Sequence, residues 1–109
     1  MARVHIDVSL FSTHGAYGKV SGSLELTVVP QIGDVIAFRL SKPIKAHVGK
    51  RGLPYARHLR VTDRIIPAEV DCDVLVALED ITAETVEDAK QLMEMLERQH
   101  GLSGDVWDN

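Results

Sequence analysis

Eight of the twelve Lys and Arg residues of this 109-residue chain fall between positions 39 and 64: Arg39, Lys42, Lys45, Lys50, Arg51, Arg57, Arg60 and Arg64. Only one of the sixteen acids, Asp63, lies among them. The stretch therefore carries a formal +7, while the other four cations and fifteen acids carry −11. Cations grouped in this way bind phosphate and other anions, and glycines let the backbone approach the anion closely. Gly49 and Gly52 stand among them, and Tyr55 offers a ring on which an unpaired base can stack. The candidate anion- or nucleic-acid-binding set is Lys42, Lys45, Lys50, Arg51, Tyr55, Arg57, Arg60 and Arg64. The same cations have two plainer uses. They can guard an exposed edge strand against pairing, or meet an acidic surface on this chain or on a second copy. The net charge of −4 and a pI near 5.7 favour these plainer uses, being far from the pI above about 9 of a nucleic-acid-binding domain.

Other chemistry finds little support. The five histidines, His5, His14, His47, His58 and His100, form no His-Glu-x-x-His and no finger-like spacing with Cys72. His47 and His58 stand among cations, which disfavours a bound metal, so no metal site and no cofactor is expected. The acids around Cys72, Glu69, Asp71 and Asp73, suggest paired carboxylates. A general acid or base, however, needs a cleft and a shifted proton affinity, and neither is visible in a sequence. Gly15-Ala16-Tyr17-Gly18 and Gly49-Lys50-Arg51-Gly52 lack the helical context of a phosphate loop or a nucleic-acid-clamping loop, and are read as turns. No catalytic residue is assigned.

The elements that must carry these residues are legible from periodicity. Val4, Ile6, Val8 and Leu10 alternate with polar residues over positions 3–11, the pattern of a half-buried strand. A glycine-bearing turn leads to a second alternation, with Val20, Gly22, Leu24, Leu26 and Val28 facing in, so a hairpin is expected. Pro30-Gln31-Ile32-Gly33-Asp34 reads as a turn and positions 35–40 as a third strand. Positions 41–56, with Pro43, Gly49, Gly52 and Pro54, read as a long loop or twisted hairpin tip. In the next alternation, over 57–66, Leu59, Val61, Asp63 and Ile65 share one side, while His58, Arg60 and Arg64 share the other. A fifth strand follows over 73–81, with Val74, Val76 and Leu78 inward.

The period then changes. Val86, Ala89, Leu92, Met93 and Leu96 recur at intervals of three and four, the mark of an amphipathic helix. Thr82 or Thr85 can cap its start and Gly101 its end. Met95 falls at the margin of the apolar stripe. Together with Trp107, alone in a short tail over 102–109, it marks a possible partner surface.

Five strands followed by one helix, with no β-α-β alternation, give an α+β class: a mainly antiparallel curled sheet or small barrel plus a C-terminal amphipathic helix, forming one domain over 1–101. A single cysteine excludes an intrachain disulfide, and the chain shows neither a secretory pattern nor an apolar run of about 18 residues, so a cytoplasmic location away from membranes is expected. One sheet and one helix only just close a core. Together with the sorted charge, this points to a small non-enzymatic binding or assembly domain acting as a homodimer, with nucleic-acid binding through 39–64 as the alternative.

Overall fold

The computed structural model describes residues 2–41, 46–48, 53–54 and 58–107. Among them the elements are β1 (Ala2–Ser12), β2 (Gly15–Leu26), β3 (Val35–Ala37), β4 (Ala46–Val48), β5 (Leu53–Pro54), β6 (His58–Ile65), β7 (Val74–Leu78), β8 (Ile81–Ala83), α1 (Val86–His100) and β9 (Ser103–Val106). The class is α+β, a strand-rich sheet with one C-terminal helix.

β1 is the centre of the sheet. Its inward Val4, Ile6, Val8 and Leu10 are all fully buried, as their alternation requires. Along one edge it forms an antiparallel hairpin with β2, from Ala2 opposite Leu26 to Ser12 opposite Gly15. Its other edge is shared by two collinear strands, β7 beside Val4–Asp7 and β8 beside Leu10–Ser12. Both pair with β1 in parallel, so the expectation of about five mainly antiparallel strands is corrected to a mixed sheet with more and shorter strands. The single strand expected over 73–81 is two, broken at Glu79 and Asp80. Beyond β1 the sheet divides. One branch continues from β7 through β6 to β3, and the other from β8 through β4 to β5. Among the described residues β3 does not pair back onto β2, so the sheet curls without closing into a barrel.

A β-bulge between Val61 and Asp63 shapes β6. Leu59 and Val61 are buried, but the extra residue moves Asp63 and Ile65 to the outer face, opposite Ala77 and Leu75. Arg64 then lies opposite the buried Val76, on the inner side of the sheet.

The helix covers the inner face. The Thr85 side chain accepts from the Asp88 N–H at 3.0 Å, and the acids Glu87 and Asp88 sit at the positive end of the helix dipole. Gly101 ends the helix in the left-handed region, at φ 67°, and donates its N–H to the Glu97 carbonyl. Ala89, Leu92, Met93, Met95 and Leu96 are buried. Met95 enters the core because the chain after β3 crosses the helix: the Ser41 hydroxyl reaches Met95 Sδ at 3.5 Å, and the Ser41 N–H donates to Gln99 Oε1. The same crossing buries Phe38 and Leu40 and sets the His100 ring edge-on to Phe38 at 5.2 Å. The chain after the helix is not a loose tail. β9 pairs with Gly18–Ser21 of β2, and the Trp107 N–H extends the pairing to the Tyr17 carbonyl at 2.9 Å. No helix of the described chain is long and apolar enough to cross a membrane.

Candidate binding surfaces

Two surfaces stand out, and the first is the bare outer face of the central strands. Register places Ile65, Leu75, His5 and Ser23 in one row across β6, β7, β1 and β2. The next row is Asp63, Ala77, Asp7 and Ser21. A shallow groove of about 210 Å³ runs between the rows, lined by His5, Asp7, Asp63, Ile65, Leu75, Val76 and Ala77. Ile65 is 60% exposed and Leu75 39% exposed, and Ile66 and Val70, beyond the end of β6, are exposed as well. An ion pair between Arg3 Nε and Asp73 at 3.4 Å lies at the margin. Most of the charged groups around the apolar strip are therefore carboxylates.

Spacing restricts what these groups can do. Asp7 and Asp63 flank Ala77 on neighbouring strands, two strand spacings or about 10 Å apart. At that separation they neither share a proton nor chelate one ion. Among the described residues no three His, Cys, Asp or Glu side chains converge as metal ligands. The arrangement is suited to contact. Parallel-paired strands are usually covered on both faces, yet here the outer side of β1 and β7 is open.

The second surface is the seam where the sheet fails to close. There a groove of about 560 Å³ lies between the end of β2 and β3, lined by Glu25, Leu26, Thr27, Val28, Pro30, Asp34, Val35, Ile36 and Ala37. Val28 and Val35 are exposed, as is Ile32 on the connecting loop.

The two described members of the basic set, Arg60 and Arg64, do not share one strand face. Arg60 is exposed, and its Nη1 donates to the Gly33 carbonyl at 3.0 Å, fastening the β2–β3 connection. Its backbone exchanges hydrogen bonds with Glu79. Arg64, on the other side of the bulge, is half-buried, with Nε shielded from water and without a hydrogen-bond partner among the described residues. Lys42, Lys45, Lys50, Arg51, Tyr55 and Arg57 lie outside the described residues. Met95 belongs to the core at 3% exposure, and Trp107 is half-buried beside β2.

Sequence reasoning missed the outer strip. Its signal was the unbroken apolar run Val74-Leu75-Val76-Ala77-Leu78, which is apolar on both faces where a half-solvated strand alternates. The pair Ile65-Ile66 was a second signal. No protein-family model matches the chain, and neither does any curated protein or solved structure.

Proposed function

We propose that this chain is a non-enzymatic binding and assembly domain that associates with a second copy of itself through the outer face of β6, β7 and β1. The observation that supports this reading is the exposed Ile65–Leu75 strip on the outer side of a parallel-paired centre. Charge favours a second copy as the occupant. The strip is edged by Asp7, Asp63 and Asp73, and the same chain carries a formal +7 over positions 39–64. Each copy thus brings both halves of a complementary pair, as a two-fold interface requires.

Light scattering across a concentration series, at low and high salt, tests this reading. A dimer is expected that weakens with salt, together with a folded monomer for Leu75→Asp. A monomer under every condition refutes the proposal. Tight, salt-sensitive binding of RNA or DNA by that monomer would assign the basic segment to a polyanion instead.

A further inference from the structure

The seam is built differently from the outer strip, and it carries a separate inference. β3 pairs with β6 alone among the described residues, and β9 covers β2 only along Gly18–Ser21. The end of β2, at Glu25 and Leu26, therefore has β1 on one side and the open groove on the other. β3 faces the same groove from across it. Strand edges without a partner present N–H and C=O groups to any extended chain that fits between them.

The connection between the two strands holds the groove open. Pro30 is buried and has no N–H to give. The following turn is tied to β6 by Gly33 N–H to the Val61 carbonyl at 3.0 Å, by Val61 N–H to the Asp34 carbonyl at 2.8 Å, and by the Arg60 guanidinium. The Asp34 carboxylate accepts the Gln31 N–H at 2.8 Å and stiffens the turn from within. The groove volume, about 560 Å³, falls inside the roughly 300–1,000 Å³ range of pre-formed ligand sites. Its walls are apolar at Leu26, Val28, Val35 and Ala37, and its charged lining residues are both acids, Glu25 and Asp34.

We infer that the seam is a strand-acceptor site for an extended peptide segment of another protein, with apolar side chains on alternate residues and Lys or Arg between them. Backbone pairing along β2 or β3 supplies the affinity. The apolar walls take one face of the segment, and the two carboxylates select its charge. Because the outer strip takes no part, the site does not depend on self-association.

The test is fluorescence anisotropy with the full chain and a labelled, end-blocked peptide of alternating Val and Lys. Three probes accompany it: the Val–Glu counterpart, the Val–Lys peptide N-methylated on alternate residues, and the exposed-site variant Val28→Asp. Saturable binding of the Val–Lys peptide is expected. It should weaken by about tenfold or more on N-methylation, where one or two pairing hydrogen bonds are lost. The Val–Glu peptide should bind more weakly still. Leu75→Asp should bind like the unaltered chain, and Val28→Asp should lose binding while retaining its circular dichroism. No binding at about millimolar peptide, which marks the weak end of recognition, overturns the inference. So does equal binding of the methylated peptide, or a wild-type dimer that Val28→Asp converts to monomer without any peptide binding.

Discussion

Two limits of the branched sheet, β9 and β3, end in opposite ways. At β9 the edge is sealed. Gly104 lies directly under α1, where a Cβ would stand 2.5 Å from the Met93 side chain, and its N–H donates to Glu97 Oε2 at 3.2 Å. Gly18, on the neighbouring strand, is equally tight, because a Cβ there would run into the Asp105 carbonyl. At β3 the edge is open. Branched residues, Val28 and Val35, stand at a groove that no described strand enters. Both limits are strands of three or four residues, so length does not distinguish them. The difference lies in how closely backbones approach. Glycine lets helix and strand meet at van der Waals distance at β9, whereas β3 faces a groove lined by exposed valines and pairs with β6 alone among the described residues.

Substitutions graded by size of effect can break or sharpen this contrast. Leu92 is wholly buried where α1 meets the sheet. Leu92→Ala should cost about 2–5 kcal/mol, depending on how far the cavity collapses, read as a shift in the urea unfolding midpoint. Gly104→Val should cost about 1–3 kcal/mol through overpacking against Met93. It should also raise amide exchange selectively at Ser103–Val106, as the β9 edge loosens before the rest. At the open edge, Val28→Ser should change stability by less than about 0.5 kcal/mol, because Val28 is 64% exposed. A loss at Val28 comparable to that at Gly104 would show that the seam is packed in solution, and the distinction between the two edges would then fail.

A second contrast concerns the two halves of the basic segment's last strand. Arg60 and Arg64 are four residues apart, and an unbroken strand would point them the same way. The bulge after Val61 places Arg60 in solvent and turns Arg64 inward. The reversal also brings Ile65 out beside Leu75 and so forms the apolar strip. One extra residue thus removes a cation from the outer face of β6 and puts an apolar side chain on that same face. Nothing in His58-Leu59-Arg60-Val61-Thr62-Asp63-Arg64-Ile65 announces it, since no glycine or proline marks the position.

Much of the local structure was written in the residues themselves. The alternation over 3–11, the hairpin, the helix, its Thr85 cap and its Gly101 stop depend on side chains within a turn or two of one another, and local sequence encodes them directly. The sorting of charge is likewise a property of the chain alone. Tertiary structure decided the rest: the parallel alignment of β7 and β8 along β1, the bulge that divides Arg60 from Arg64, the crossing near Ser41 that carries Met95 into the core, and the seam left between β2 and β3. Each depends on which distant segments bury apolar surface against one another. That choice is fixed by the sum of contacts across the whole core, and no local period records it.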